Sequence, residues 1–390
     1  MSALALVAHE WGAEVGGSDR ARSSYVEWLE AAGIPVAIGH DAANVPDEAE
    51  VIVSSAIAAE NPEVEVSRAR GTRARMRAEL LAELVELRPS IVVAGAHGKT
   101  TTTAMIAFVL DRLELDPAFL IGGEIPQLGG NGRAGEGWLV AEGDESDRSL
   151  ELLHPRIAVL TNVELDHHAT FVSEAEVREL FDDWLARVPE TVRGDGLEPV
   201  SFELAVPGEH NRQNAATALA ALELAGVRRA DAERVLPEFA GVGRRFELRG
   251  ERGGVRVYDD YGHHPREVAV TLAAARASAG DGRVLVVFQP HLYSRTRYLA
   301  HELARSLALA DAVAVTSVYA AREEPVAGVE GSLVVEALAS ERPGMSVAWM
   351  PALEDAVRFL ARRARPGDLV LTIGAGDVER AGPLLLEELA

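Results

Sequence analysis

One run of residues has the types and order needed to hold phosphate. Gly95-Ala96-His97-Gly98-Lys99-Thr100-Thr101 follows the apolar run 91–94 and precedes the helical run 102–110. Glycines let backbone N–H groups turn toward phosphate oxygens, and a helix N-terminus adds positive potential. At this spacing Lys99 would reach the outer phosphates of a nucleotide, and the Thr100 hydroxyl would bind Mg²⁺. The longer consensus asks for glycine at position 93, where this chain has Val93, so only the compact Gly-x-x-Gly-Lys-Thr form is met. The plain alternative is a threonine-capped helix start with a chance Gly-Lys pair. Lys99 is the chain's only lysine.

Two further clusters could share that chemistry. Glu142-Gly143-Asp144-Glu145-Ser146-Asp147 ends the strand-like run 138–141, and Asn162, Glu164, Asp166, His167 and His168 follow the run 157–160. Both fall at carboxyl ends of strands, the edge where ligands bind in open α/β sheets. Phosphate-bound Mg²⁺ takes oxygen ligands. Carboxylates here, Glu142 above all, would therefore contribute to the metal after Thr100, and His167 could hold a second metal or a phosphate. The alternative is a solvated acidic loop, and a surface role suits His168 at least as well.

The elements that must position these residues are legible as alternation. The runs 91–94, 157–160, 284–288, 312–315 and 369–373 are continuously apolar and end in turn residues. Between them lie stretches of helical period such as 75–87 and 215–224. This predicts an α/β protein with parallel sheets covered by helices on both faces. Arg88-Pro89 and Gly241-Val242-Gly243 mark boundaries, giving segments 1–88, 89–240 and 241–390. Residues 185–207 carry Pro189, Gly194, Gly196, Pro199 and Pro207 and read as turns with at most short strands. The opening is unusual: 1–8 looks helical and 14–19 looks like a strand ending in Asp19, the second half of a nucleotide-binding βαβ unit without its first strand.

Composition bounds the rest. The chain has 390 residues, 48% hydrophobic, enough for two or three cored domains. Lys plus Arg is 38 against 61 Asp plus Glu, a net charge of −23. Such a chain repels nucleic acid and anionic lipid, so neither is an expected partner. It has no cysteine. That excludes disulfides, thiolate metal sites and cysteine nucleophiles, and fits a cytoplasmic location. No apolar run approaches the length of a membrane span, and no signal peptide is read.

The matching segments resemble the Mur ligases, the ATP-dependent amide-forming enzymes of peptidoglycan synthesis. They are the phosphate loop; 142–147; Thr161-Asn162 with Asp166-His167; Gly208-Glu209-His210-Asn211 with Asn214; Gly243-Arg244-Arg245-Phe246-Glu247; Asp259-Asp260-Tyr261-Gly262-His263-His264-Pro265; and Phe288-Gln289-Pro290-His291 through Arg295-Thr296-Arg297. They run in family order across nearly the whole chain. The resemblance implies a three-domain architecture. Segment 1–88 would be a Rossmann-like UDP-sugar domain, 89–240 a central ATPase domain, and 241–390 a second Rossmann-like domain, with closure assembling the site.

It further implies ATP and Mg²⁺ as cofactors. Gly95, Ala96, His97, Gly98, Lys99, Thr100 and Thr101 would hold the phosphates, and Thr100, Glu142 and His167 the metal. His210, Asn211 and Asn214 would sit at the nucleotide, and Arg245 near the phosphates. His263, His291 and Arg295 would face the amino acid and the reacting carboxylate, with His263 the candidate base. Ser54-Ser55-Ala56-Ile57, Asn61-Pro62-Glu63 and Arg77-Ala78-Glu79 resemble the UDP-sugar segment. Surface ion pairing is the alternative for Arg295 and Arg297, and packing for Tyr261.

Within the family the pattern is that of the branch joining L-alanine to UDP-N-acetylmuramate. The rival branch attaches a recycled tripeptide and tends to read Phe-Ala where this chain has Tyr261-Gly262. A catalytically impaired homologue is a further alternative, and a simple kinase leaves the segment 259–265 unexplained. Other branches use a carbamylated lysine, for which this chain has no residue. Three departures stand out: Ala96 replaces the usual Thr, Leu292 stands where many members have Arg, and the stretch between Trp184 and Gly208 is short. A first strand and glycine-rich turn are expected upstream of Met1.

Overall fold

The computed structural model describes residues 1–55, 57–165, 170–321 and 323–389. The chain divides into two compact units, Met1–Ala240 and Gly241–Ala390.

The first unit opens with helix α1 (Ser2–Glu10), strand β1 (Gly17–Asp19), α2 (Ser24–Ala31), β2 (Val36–Ile38), β3 (Ile52–Val53), α3 (Pro62–Ala69), β4 (Arg75–Met76) and α4 (Arg77–Leu87). β1 pairs with β2 and β3 with β4, both parallel. The expected strand 14–19 is reduced to its last three residues. The expected helix at 75 begins at Arg77, because Arg75 and Met76 are drawn into the ladder with β3. Glu79 then starts the helix by accepting the Met76 N–H at 2.8 Å.

A six-stranded sheet follows: β5 (Ser90–Ala94), β6 (Ala118–Ile125), β7 (Gly130–Arg133), β8 (Leu139–Glu142), β9 (Ile157–Leu160) and β10 (Glu190–Arg193). Its order is β10-β9-β5-β8-β6-β7, parallel except for β6 with β7. Every residue of β5 and β9 is buried, which is why both read as unbroken apolar runs. The same unit holds α5 (Lys99–Arg112), α6 (Glu174–Leu185), α7 (Glu209–Leu224) and α8 (Arg229–Val235). Residues of α1, α4 and α6 share one core with Val92, Ala94, Ala158 and Leu160. Segment 1–88 thus contributes helices to the core of the six-stranded sheet. The alternate residues Ile91 and Val93 point to the opposite face of β5, and α5 packs against both β5 and α7.

The second unit is a doubly wound sheet. Its strands are β11 (Glu247–Arg252), β12 (Val255–Asp260), β13 (Val284–Phe288), β14 (Ala312–Val315), β15 (Ser346–Trp349) and β16 (Leu369–Ile373). The order is β11-β12-β16-β13-β14-β15, with only β11 antiparallel. Helices α9 (Pro265–Ala279), α10 (Tyr293–Leu307) and α11 (Ser332–Glu341) cover one face. Helices α12 (Leu353–Ala361) and α13 (Ala381–Glu388) cover the other. No helix among the described residues is long and apolar enough to cross a membrane.

Trp184 closes the core under α6. Its side chain is 0% exposed and its indole N–H donates to the Leu153 carbonyl at 2.9 Å. Trp184→Ala should therefore lower stability by about 3–5 kcal/mol in urea unfolding. A change under about 1 kcal/mol would mean this core is not limiting.

Candidate active site

The phosphate loop leaves the carboxyl end of β5, which lies between β8 and β9. Helix α5 begins at Lys99, three residues earlier than the sequence pattern predicts. Gly98 caps it with a left-handed φ of 81°, so the helix starts directly from the loop. Two close approaches require glycine. A Cβ at Gly95, where φ is 129°, would lie 2.2 Å from the Thr161 hydroxyl and 2.8 Å from the Asn162 carbonyl oxygen. A Cβ at Gly98 would lie 2.4 Å from Asn214 Oδ1.

Those neighbours hold the loop. Asn162 Oδ1 accepts the His97 N–H at 2.9 Å, and Asn162 Nδ2 donates to the His97 carbonyl at 2.8 Å. The Thr161 hydroxyl donates to the same carbonyl at 2.7 Å. The His97 ring meets Glu164 at 3.1 Å. Asn214 is buried on α7, and its Nδ2 reaches Asn211 Oδ1 at 3.4 Å. Asn211 Nδ2 donates to the Pro207 carbonyl at 2.7 Å. His210 is on the first turn of the same helix, folded against Gly208.

The acidic segment supplies partners to the loop. Thr100 Oγ1 donates to Glu142 Oε2 at 3.0 Å, and the Gly122 N–H donates to Glu142 Oε1 at 2.6 Å. Glu142 is the last residue of β8, so its carboxylate is placed by the sheet rather than by a loop. Lys99 Nζ donates to Glu145 Oε1 at 2.9 Å and Oε2 at 3.2 Å, and to the Gly95 carbonyl at 2.5 Å. Burial opposes the Lys99 charge. Glu145 outweighs it, with Asp144 and Glu142 adding, and the ammonium pKa is raised. Burial likewise opposes the Asp144 charge. Hydrogen bonds from Ser146, then Lys99 and Arg77, prevail and hold that carboxyl below its usual range.

Glu145 was not singled out from the sequence. It lay within a run of four acidic residues, and nothing in the pattern says which of them turns inward. His167, with Asp166 and His168, lies outside the described residues, as does Ala56.

The donor set fits Mg²⁺. A hydroxyl and a carboxylate, both hard oxygen donors, meet beside a helix N-terminus. Thr100 and Glu142 are the residues that would hold it.

In the second unit, the remaining candidates gather at the carboxyl ends of β12 and β13. His263 Nδ1 lies 3.1 Å from the Tyr261 carbonyl. A carbonyl only accepts, so Nδ1 carries a proton, and in the neutral ring Nε2 is the acceptor nitrogen. His291 shows the opposite tautomer. Arg295 Nη1 donates to His291 Nδ1 at 3.0 Å, and a guanidinium only donates, so Nε2 is the protonated nitrogen. The two rings are 5.4 Å apart, and His291 stacks on Tyr319 at 5.9 Å. Leu292 has a left-handed φ of 67°, which turns the chain into α10 and puts Arg295 one turn from His291.

Glu267, the third residue of α9, carries no signal in the motif that marks it as part of the site. Its Oε2 accepts the N–H of His263 at 3.0 Å and of His264 at 3.2 Å, which fixes the histidine turn. Arg245 lies 3.6 Å from Glu267 and over the Tyr261 ring at 5.4 Å. Its neighbour Arg244 is structural: it binds Asp259 at 2.9 Å and the Gly374 carbonyl at 2.8 Å. Asp260 is buried and accepts the N–H groups of Phe246 and Gly262, each at 2.8 Å. Burial pushes its pKa up to about 6, against the pull of Arg245 and those two N–H groups. A cavity of about 340 Å³, lined by Gln289, Tyr319, Asp377 and Arg380 among others, opens on the same edge.

The glycine contacts give a direct test. Gly95→Ala should weaken ADP binding by about tenfold or more, the scale of one lost hydrogen bond to a charged group. Thermal unfolding should stay cooperative. Unchanged ADP affinity in calorimetric titration would remove the loop from the nucleotide site.

The geometry can be set beside known proteins. Residues 1–88 match the family model described as the Mur ligase family catalytic domain, and residues 244–376 that of the Mur ligase glutamate ligase domain. The chain is 41% identical, over all of its length and 95% of the relative's, to the UDP-N-acetylmuramate–L-alanine ligase of Streptomyces avermitilis. That alignment runs over 445 residues, so this 390-residue chain is the shorter within the matched span. Among solved structures, the UDP-N-acetylmuramate-alanine ligase of Thermotoga maritima superposes with a TM-score of 0.85 at 27% identity, over 99% of this chain and 96% of that one. A murein peptide ligase from Psychrobacter arcticus gives 0.70 at 25% identity, over 100% and 96%. With the loop, the acidic edge and the histidine turn all in family order on a three-domain Mur ligase architecture, the chain belongs to the Mur ligase family of ATP-dependent, amide-bond-forming ligases.

Proposed function

We propose that this protein joins L-alanine to the carboxylate of UDP-N-acetylmuramate in the cytoplasm, using ATP and Mg²⁺ and passing through an acyl phosphate. The observation that carries the ligase chemistry is the pair of contacts at the start of α5, Thr100 with Glu142 and Lys99 with Glu145. The names of the full-length relatives support the alanine-adding branch. In this reading segment 1–88 serves the UDP-sugar, 89–240 ATP, and 241–390 the amino acid.

A carboxylate resists attack by an amine because oxide is a very poor leaving group. In the first step a carboxylate oxygen attacks the γ-phosphorus of ATP, the bond to the β-phosphate oxygen breaks, and ADP leaves. Two anions must meet. Lys99 and the N–H groups at the start of α5 offset their repulsion and stabilise the transferring group. Mg²⁺ held by Thr100 and Glu142, with His167 a further proposed ligand, would supply additional neutralising charge. His210, Asn211 and Asn214 are assigned to the nucleotide, and Arg245 to its phosphates.

In the second step the amine nitrogen attacks the acyl carbon. The C–N bond forms, the C–O bond to phosphate breaks, and inorganic phosphate leaves with the electron pair. The nitrogen must shed a proton. His263 suits this role because its Nδ1–H is engaged by the Tyr261 carbonyl, which makes Nε2 the basic nitrogen. His291 presents a protonated Nε2 and so suits hydrogen-bond donation, while Arg295 suits a carboxylate.

Phosphate release from ATP should require both UDP-N-acetylmuramate and L-alanine. Release driven instead by the L-Ala-γ-D-Glu-diaminopimelate tripeptide would move the chain to the recycling branch, and none from folded protein would mark an impaired homologue. Lys99→Ala should cut that release by about a hundredfold or more. Glu142→Ala should shift the Mg²⁺ titration midpoint upward by about tenfold. A superimposable titration would leave Glu142 without a metal role.

A further inference from the structure

The lysine that must meet the phosphates is already occupied. Lys99 Nζ has three donors. One reaches the Gly95 carbonyl, and the Glu145 carboxylate takes up others through both oxygens, at 2.9 and 3.2 Å. The Glu145 side chain is 3% exposed, against 20% for Lys99. A carboxylate this deep has lost its hydration, and the cation beside it offsets that cost. We propose that Glu145 is a positioning residue that latches Lys99, so that β- and γ-phosphates bind by displacing it from the ammonium. The proposal rests on the phosphate-loop reading above.

The placement separates two carboxylates that are three residues apart in sequence. Glu142 holds the Thr100 hydroxyl and the Gly122 N–H, contacts suited to a metal ligand in waiting. Glu145 holds the ammonium instead. The Lys99 contact to the Gly95 carbonyl lies within the loop and can persist when phosphate arrives, whereas the Glu145 contacts draw on the donors that phosphate needs. The latch therefore lowers affinity for nucleotides that carry a β-phosphate and leaves AMP unaffected.

The direction of the effect tests the idea, because loss of a merely structural contact would weaken binding. Glu145→Gln should bind ADP about tenfold more tightly than wild type in calorimetric titration with Mg²⁺, the scale of one charge-assisted bond no longer broken. AMP affinity should stay within about twofold, well inside that scale. A second readout separates the latch from simple repulsion between Glu145 and phosphate. Because Lys99 is the only lysine, amine acylation mapped by mass spectrometry reports on it alone, with the N-terminal amine as internal reference. Without nucleotide, Lys99 should label faster in Glu145→Gln than in wild type. Should Glu145→Gln fail to fold, Glu145→Asp, one methylene shorter, should shift both readouts in the same direction. Unchanged or weaker ADP binding, or unchanged Lys99 labelling, overturns the latch while wild-type ADP binding upholds the phosphate-loop reading. Wild type that binds no ADP overturns both.

Discussion

The close approach of three chain segments at the phosphate loop is the constraint on which the first unit depends. β5 delivers Gly95 against Thr161 and Asn162 at the end of β9, and Gly98 caps α5 against Asn214 of α7. Neither contact admits a Cβ. The side chains that crowd the glycines are also the ones that bind the loop, with Thr161 and Asn162 both engaging the His97 carbonyl. Steric exclusion and hydrogen bonding therefore specify the same backbone, and the N–H groups at the start of α5 are held ready for an anion at little further ordering cost.

Charge is the second theme. The chain carries −23, yet its chemistry brings a carboxylate to a triphosphate. At the carboxyl edge of the first unit's sheet a lysine and a helix N-terminus supply positive potential, beside two carboxylates that take separate partners, Glu142 the Thr100 hydroxyl and Glu145 the Lys99 ammonium. In the second unit, arginine does other work. Arg244 ties β12 to the end of β16, while Arg295 sets the tautomer of His291. Because Arg295 and the Tyr261 carbonyl favour opposite neutral tautomers, two histidines 5.4 Å apart present unlike nitrogens when both rings are neutral, one accepting and one donating.

Much of the fold was legible because the strands that matter are buried on both faces. β5, β9, β13, β14 and β16 appear at the apolar runs from which they were expected, and the phosphate loop lies between strand and helix as its spacing predicts. The misreadings fall where tertiary pairing decides. The start of α4 was shifted by a two-residue ladder with β3, and the start of α5 by a left-handed glycine. Neither has a local signal strong enough to compete with the helical pattern around it.

By itself the sequence determined the alternation of strands and helices, the phosphate loop, and the set of carboxylates, histidines and arginines from which a ligase site could be drawn. Those properties are local: residue type, spacing and periodicity carry them. Which acidic residue turns inward to Lys99 and which holds Thr100 were decided only by tertiary structure. They depend on partners more than forty residues apart in the chain, Lys99 with Glu145 and Thr100 with Glu142, and no periodicity within a segment records them.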